Sequence, residues 1–298
     1  MPSVELSAGP IDFEDTGGDG PVLVLLHGVP MDGRVWRRAL PYLGGFRVIR
    51  PTLPLGGHRQ PMRPDADLSQ QGVANILGDF LDALDLHDVT LVLNDWGGGQ
   101  FLINADRTDR IARLALVACE AFDNYPPKAA KPLAVLSKMP PLFTAALQLF
   151  RMESFRQMSS GYGGMSVDKS YHLYDDLVHG WFAPALTDRA IRRDFIKFAG
   201  GAPGRDELLE LAEGQQKFTK PVLVVWADQD TMMPAEHGPR LAAHYPDARL
   251  EIVKDSSTLV PIDQPELLAG LLRAFVVEQS ALGGSGPVDP VREEARDE

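Results

Sequence analysis

The chain has 298 residues, of which 44% are apolar and 23% charged, a globular balance that excludes a fibrous protein and disorder over most of its length. Its net charge of −12 repels phosphate backbones and anionic lipid, so we expect neither nucleic acid nor a membrane as a partner. No stretch reaches the ~18 unbroken apolar residues of a membrane helix, and the first residues lack a signal-peptide pattern, which predicts a cytoplasmic protein.

Six short apolar runs, each closed by a turn or a polar residue, predict strands that are buried on both faces of a parallel sheet. They cover residues 21–28, 46–50, 89–94, 111–119, 222–227 and 249–253. Between these runs, apolar residues recur at helical spacing, as in the series Val73, Ile76, Leu77, Phe80, Leu81 and Leu84 and the series Leu267, Leu268, Leu271, Leu272 and Phe275. This alternation predicts an α/β protein with a doubly wound, mostly parallel sheet.

The alternation stops over residues 122–218, where prolines punctuate helical segments and no buried-strand pattern occurs. We interpret this stretch as a helical cap inserted into a core formed by residues 1–121 and 219–282. The longest cap segment has apolar residues on one side, at Leu136, Met139, Phe143, Leu147 and Phe150, which predicts a packed face and part of an apolar substrate pocket. Residues 283–298 have the composition of a disordered acidic tail.

The most informative segment is Leu91-Val92-Leu93-Asn94-Asp95-Trp96-Gly97-Gly98-Gly99, an apolar strand that ends in a small polar residue and then in glycines. This pattern predicts a nucleophile elbow, a strained strand-to-helix turn that exposes one side chain at the edge of the sheet. With aspartate at that position, the chemistry indicated is attack of a carboxylate on an sp³ carbon, which forms an ester with the enzyme.

Two further motifs, His27-Gly28-Val29-Pro30 and Trp226-Ala227-Asp228-Gln229-Asp230, stand at the ends of other predicted core strands. With the Asp95 elbow, they follow the chain order that the α/β-hydrolase fold uses for oxyanion loop, nucleophile and acid. The chain therefore resembles the α/β-hydrolase superfamily, and within it the aspartate-nucleophile branch of epoxide hydrolases and haloalkane dehalogenases.

The resemblance implies a role for each matching residue. Asp95 is the nucleophile, and the backbone N–H groups of Val29 and Trp96 face the oxyanion. The Trp96 indole either holds a leaving halide or only packs. Asp230 matches the acid of the charge relay, while Glu120 stands where some dehalogenases carry that acid instead; we favour Asp230. No metal or organic cofactor is implied.

Two departures from the family pattern bear on catalysis. Where the family has its general-base histidine, before an acid and a proline, this chain has Thr258, followed by Asp263 and Pro265. A hydroxyl does not deprotonate water at neutral pH, so the second step of the family mechanism lacks its base. In addition, Leu93 replaces the glycine that normally stands two residues before the nucleophile, which predicts a looser or re-angled turn.

Several cap residues are candidates to complete the site. Among the histidines, His172 and His179 are the candidates to overhang the pocket and replace the missing base. Trp181 is the nearby candidate for a second halide donor, because Val29 occupies the position of the family's asparagine. Tyr162, Tyr171 and Tyr174 are candidates to donate hydrogen bonds to an epoxide oxygen, although packing within the cap is the simpler explanation for them.

The sequence therefore predicts an α/β-hydrolase-fold enzyme that acts on a small apolar molecule through Asp95, with altered turnover. Two alternatives stay open at this point. One is a catalytically silent protein that binds small molecules, and the other is a cofactor-free lyase or isomerase that uses Asp95 as acid or base. The sequence does not determine the oligomeric state, and a homodimer is one assembly that it allows.

Overall fold

A computed structural model describes residues 1–168 and 170–283, and for residues 171–173 and 279–283 it describes the backbone alone. Within these residues, eight strands form one sheet. They are β1 (Ser3–Leu6), β2 (Gly9–Asp15), β3 (Val22–Leu25), β4 (Arg47–Pro51), β5 (Val89–Asp95), β6 (Ile111–Cys119), β7 (Val222–Ala227) and β8 (Ala248–Val253).

The strand order across the sheet is β1-β2-β4-β3-β5-β6-β7-β8, with β3 to β8 parallel and β1 and β2 antiparallel at one edge. The order reverses at β3, because β4 lies on one side of it and β5 on the other. Loops that follow β3 and β5 diverge at such a switch point and leave a crevice at the carboxyl edge of the sheet. The predicted doubly wound, mostly parallel sheet is confirmed.

Helices cover both faces of the sheet, and six of those described lie in the chain between β6 and β7. The helices of the core are α1 (Gln70–Ala83), α2 (Phe101–Asn104), α9 (His237–His244), α10 (Val260–Asp263) and α11 (Pro265–Gly283). The helices between β6 and β7 are α3 (Lys131–Leu136), α4 (Pro140–Leu147), α5 (Glu153–Arg156), α6 (Tyr171–Thr187), α7 (Arg189–Gly200) and α8 (Arg205–Gln215).

Local sequence explains the two elements that frame the site. Every residue of β5 is buried, as its continuous apolar run predicts for a central strand covered on both faces. Helix α1 begins after Ser69, whose side chain accepts a hydrogen bond from the backbone N–H of Gly72 at 3.1 Å and so caps the helix. Its predicted apolar stripe, which includes Val73 and Phe80, is buried against the sheet.

The structure differs from the sequence-based expectations at three places. The β1–β2 hairpin was not predicted, because its short strands are polar on the outer face and edge strands carry weak hydropathy patterns. The expected long cap segment is interrupted at Pro140, which cannot donate a backbone hydrogen bond and starts a new helix, leaving Met139 43% exposed. In α11, Leu267 is exposed instead of joining the buried stripe.

None of the helices within the described ranges combines the length and the apolar content needed to cross a membrane. The predicted tail, residues 283–298, lies outside the described residues except for Gly283, the last residue of α11.

Candidate active site

Asp95 ends β5 in a left-handed backbone conformation, with φ of 62°, that non-glycine residues rarely adopt. This is the geometry of the predicted elbow, and it is formed although Leu93 stands where the resemblance expects glycine. Space for the Leu93 side chain comes from Gly99, since a Cβ placed on Gly99 would lie 3.1 Å from Leu93 Cδ2. The absence of a side chain at Gly99 therefore leaves room for Leu93 beside the turn.

The loop after β3 contacts the Asp95 carboxylate directly. The backbone N–H of Val29 donates to Asp95 Oδ2 at 2.9 Å. Gly28 permits this approach, because a Cβ there would lie 2.0 Å from Asp95 Oδ2. The second predicted donor behaves differently: the backbone N–H of Trp96 donates to the carbonyl of Asn94 at 2.8 Å.

The Trp96 indole is also directed away from the carboxylate. Its ring is fully buried, packs edge-on against Phe198 with ring centroids 6.4 Å apart, and donates its N–H to Gln70 Oε1 at 2.7 Å. Gln70 is the first residue of α1 and is 4% exposed. Sequence reasoning did not single out Gln70, and the signal available was its position at the start of a helix that follows a loop at the carboxyl edge of the sheet.

Burial dominates the electrostatics of Asp95, whose side chain is held in a largely apolar environment. Desolvation raises its pKa from an ordinary value of 3.8 to about 7, against the opposing effect of the Val29 hydrogen bond and with a small added rise from the charge of Asp230. Near neutral pH the group is therefore divided between the carboxylate, which can attack, and the neutral acid, which cannot.

Asp230 and Thr258 form a buried pair at the ends of neighbouring strands, since Asp230 follows β7 and Thr258 follows β8. The Thr258 hydroxyl donates to Asp230 Oδ1 at 2.8 Å, and the backbone N–H groups of Met232 and Met233 reach the same oxygen at 2.8 and 2.9 Å. Asp230 Oδ2 is buried and has no hydrogen-bond partner within the described part of the chain. Burial raises the pKa of Asp230, although these hydrogen bonds oppose the rise. The Thr258 hydroxyl is therefore held directly by the Asp230 carboxyl.

Glu120, the alternative acid, lies directly after β6 and lines the same cavity as Asp95. Its backbone N–H donates to the Asp95 carbonyl at 2.9 Å, and its carboxyl accepts a hydrogen bond from the Gly97 N–H. Its Oε2 atom is buried without a partner among the residues that the structure describes. Burial raises the pKa of Glu120 well above its ordinary range, and the neighbouring Asp95 charge raises it further. Of the two acids, Asp230 is the one that contacts Thr258.

We expect Glu120→Gln to stabilise the protein increasingly as pH rises above about 4.5. A carboxyl whose folded-state pKa is raised binds its proton more tightly in the folded than in the unfolded chain, so its contribution to stability falls with rising pH. The glutamine side chain is uncharged at every pH, and its oxygen can still accept a hydrogen bond from the Gly97 N–H. Urea unfolding at pH 5, 7 and 9 measures this, and a stability difference that is constant with pH would contradict a neutral Glu120.

A cavity of about 390 Å³ lies above Asp95, between the sheet edge and the helices that follow β6, within the size range of small-molecule sites. Its polar lining residues are Gln70, Asp95, Glu120, Ser160 and Tyr162. The rest of its wall is apolar and includes Leu136, Phe150, Phe182, Phe195, Phe198 and Met232. Such a lining selects for an apolar ligand that carries few hydrogen-bonding atoms.

Two of the candidate cap residues can be placed only in part. Tyr171 and His172 are in the first turn of α6, but their side chains lie outside the described residues. His179 is on the exposed face of the same helix and does not line the cavity. The described structure therefore brings no cap histidine to Asp95.

Of the aromatic candidates whose side chains are described, Tyr162 lines the cavity and Trp181 and Tyr174 do not. Trp181 is fully buried among the helices between β6 and β7, its indole N–H has no hydrogen-bond partner among the described residues, and it does not line the cavity. Tyr174 is also buried away from the cavity and donates to the Tyr162 carbonyl at 2.6 Å. Tyr162 does line the cavity, and its hydroxyl donates to the Val29 carbonyl at 2.5 Å.

Among the described side chains, no histidine lines the cavity. His27, in the loop after β3, bonds the Gly28 carbonyl through Nδ1 at 2.8 Å and accepts the Leu53 N–H at Nε2 at 2.9 Å. Burial lowers its pKa to about 4, so it is a neutral structural group. His58 is buried against Asp194 of α7, with Nε2 and Oδ2 3.3 Å apart. Both imidazole rings therefore stabilise the loops around the cavity.

Comparison with known proteins identifies relatives by family, by sequence and by structure. A family model described as "alpha/beta hydrolase fold" matches residues 21–265. A haloalkane dehalogenase of Mesorhizobium japonicum is 37% identical over 109 residues, which are 36% of this chain and 35% of that protein. The chain thus matches about a third of the length of that relative.

Two solved structures are similar over nearly the whole chain. An ancestral haloalkane dehalogenase superposes with a TM-score of 0.74 at 21% identity, covering 94% of this chain and 100% of the other. The epoxide hydrolase CorEH superposes with a TM-score of 0.73 at 18% identity, covering 93% and 98%. At these identities the similarity establishes a shared fold.

Proposed function

The chain belongs to the alpha/beta hydrolase fold family, and from that premise we propose that it is an enzyme related to haloalkane dehalogenases and epoxide hydrolases that acts through Asp95. Its substrate would be a small apolar molecule with a leaving group on an sp³ carbon. The proposal is carried by one observation: Asp95, strained at φ of 62°, lies at the floor of an apolar cavity with Oδ2 bound by the Val29 N–H. No other hydrogen bond from the described residues reaches the carboxylate, so Oδ1 is available to attack.

The first step follows from this arrangement. Asp95 Oδ1 donates an electron pair to the substrate carbon, a C–O ester bond forms, and the carbon–halogen bond breaks with its electron pair leaving on the halide. In a cavity with apolar walls the carboxylate is poorly solvated, which favours its attack. Because only the ionised form attacks and its pKa is about 7, we expect the alkylation rate to rise about tenfold between pH 6 and pH 8.

The second step, hydrolysis of that ester, lacks a base among the described side chains. The Thr258 hydroxyl donates its hydrogen bond to Asp230, and a neutral alcohol does not remove a proton from water near pH 7. Asp230 does not line the cavity, so its carboxyl does not face the ester either. The ester on Asp95 is therefore expected to persist far longer than the attack takes to form it.

Intact-protein mass spectrometry tests this prediction. Incubation of the wild-type protein with 1-bromobutane at pH 8 should add one butyl group per chain, located on Asp95 by peptide mapping and retained over hours. Asp95→Asn should show no addition, while Asp109→Asn, which changes an exposed aspartate in the turn before β6, should react like the wild type. An unmodified wild-type protein, or a butyl group on another residue, would contradict the proposed nucleophile.

A second candidate function is favoured by the pairing of Asp95 with Glu120. Two buried carboxyls with separately raised pKa values form an acid and base pair that suits a cofactor-free lyase or isomerase. Asp95 would take a proton from a carbon next to a carbonyl, and neutral Glu120 would give a proton to the carbonyl oxygen. Deuterium exchange into cyclohexanone in D2O, lost in Asp95→Asn, would favour this function, whereas ligand binding with neither exchange nor adduct would favour a silent binding protein.

A further inference from the structure

We propose that the side-chain amide of Gln70 is the binding point for the halide leaving group in the cavity. This inference rests on the proposed function and names a residue for it that the sequence motifs do not include. Gln70 is 4% exposed, lines the cavity together with Asp95, and is fixed at the first residue of α1. Its backbone N–H also contacts the carbonyl of Gly201, in the segment that follows α7, at 3.4 Å.

The partner of Gln70 determines which end of the amide faces the cavity. The indole N–H of Trp96 is a donor only, so the atom 2.7 Å from it must be the carbonyl oxygen Oε1. The NH2 group is therefore the other end of the amide, and it has no hydrogen-bond partner among the described residues. Trp96 acts as a positioning residue, since its indole N–H is already hydrogen-bonded to Gln70 and its ring does not line the cavity.

The other polar groups of the cavity are less suited to receive a leaving halide. Asp95 is the attacking group, and the Tyr162 hydroxyl is committed to the Val29 carbonyl. Glu120 Oε2 is buried without a partner, but the carboxyl would become a repelling anion whenever it ionised. The Gln70 amide offers two uncharged donors that stay donors at every pH, which suits a leaving group that gains negative charge as the bond breaks.

A halide is favoured over an epoxide oxygen by the same contacts. An alkoxide released from an epoxide needs a proton, which an amide cannot supply, whereas a halide leaves without one. Tyr162 and Tyr174 donate their hydroxyl hydrogens to the carbonyls of Val29 and Tyr162, and Tyr125 donates to the carbonyl of Glu120. These described tyrosines are therefore engaged with backbone carbonyls instead of facing a ligand oxygen.

Halide binding measures this site without any alkylation. Titration of the protein with sodium bromide, at an ionic strength held constant with sodium sulfate, should change the fluorescence of Trp96 in a saturable way at pH 8.5. Gln70→Glu keeps an acceptor for the indole and replaces the NH2 group with an oxygen, so we expect at least tenfold weaker bromide binding. Gln71→Glu adds the same charge one residue away, on a side chain bonded to Asn75, and should bind as the wild type does.

The rate of butyl transfer supplies the second readout. With 1-chlorobutane and 1-bromobutane, Gln70→Glu and Gln70→Met should both slow alkylation of Asp95 by about 100-fold, as the loss of one transition-state donor does. The loss should be larger for chloride, the poorer leaving group, and a purely structural role would not alter that ratio. Trp96→Phe, which frees the amide to rotate, should show a smaller loss.

The possible failures are distinguishable. If wild-type protein binds bromide through Gln70 but Asp95 is never alkylated, the proposed nucleophilic function is wrong and the halide site stands. If Asp95 is alkylated but Gln70→Glu and Gln70→Met bind bromide and react as the wild type does, the halide site is overturned. Unsaturable fluorescence quenching, equal in all variants, would likewise overturn it.

Discussion

Replacing Asp95 by asparagine is expected to stabilise the protein by up to about 4 kcal/mol at pH 8.5 and by almost nothing near pH 4. In the folded chain the pKa of Asp95 is raised from 3.8 to about 7. The folded state therefore binds a proton that the unfolded state has released between these two values, and the wild type loses stability as pH rises through that window. The amide has the same shape, can accept the Val29 N–H, and carries no buried charge at any pH.

Urea denaturation at pH 4, 5.5, 7 and 8.5 measures this difference directly. The gain in Asp95→Asn should grow from pH 4 to pH 7 and become constant above about pH 8. Asp109→Asn removes an exposed carboxylate and should show no such trend, which controls for the change in net charge. If Asp95→Asn and the wild type had parallel stability profiles, Asp95 would ionise in the folded protein as it does in water, and the buried environment inferred for it would be wrong.

Replacing Thr258 by histidine is expected to convert a single alkylation of Asp95 into repeated turnover. An imidazole at this position could donate to the Asp230 oxygen that now accepts the Thr258 hydroxyl, and its other nitrogen could take a proton from water. A positioned general base contributes about 10²- to 10⁴-fold, so the butyl ester on Asp95 should be hydrolysed at least about 100-fold faster. Continuous bromide release from 1-bromobutane, beyond one equivalent per chain, is the measurement.

Thr258 is fully buried, so the larger ring needs space. The double change Thr258→His with Met232→Ala provides it, since Met232 lines the cavity beside Asp230. Thr258→Ser keeps the hydroxyl and should retain the persistent adduct. Adding Asp230→Asn to Thr258→His should remove most of the gain, because the ring would lose the carboxylate that orients it. A folded histidine variant whose ester persists as in the wild type would contradict the alignment of Thr258 with the family base.

The sequence sufficed to predict the six parallel strands β3 to β8 and the turns at their carboxyl ends, because buried parallel strands carry continuous apolar runs and end in recognisable turns. It also predicted the elbow at Asp95, but it predicted a looser or re-angled turn from Leu93 and gave no sign that Gly99 makes room for that side chain. That compensation depends on a side-chain contact across the turn, which spacing along the chain does not encode.

The contacts of the helical segment between β6 and β7 were much harder to predict, because its residues reach the cavity through packing that has no local sequence pattern. Tyr162 and Tyr174 have the same residue type and lie 12 residues apart, yet the first lines the cavity and the second is buried behind it. The sequence motif around Asp95 also could not show what the Trp96 indole binds. Its indole is bound by Gln70, a residue 26 positions earlier on another element, and only the folded structure shows that contact.

If the ester on Asp95 persists as proposed, the Thr258 hydroxyl bound to Asp230 and a cavity lined by no described histidine limit how this protein can be detected in the laboratory. A reagent that each molecule consumes once yields a signal proportional to the amount of protein added, and waiting longer does not increase it. Colorimetric screens that accumulate product over many cycles would score the chain as inert. Radiolabelled or fluorescent haloalkanes that remain attached through denaturing electrophoresis would reveal it as a band.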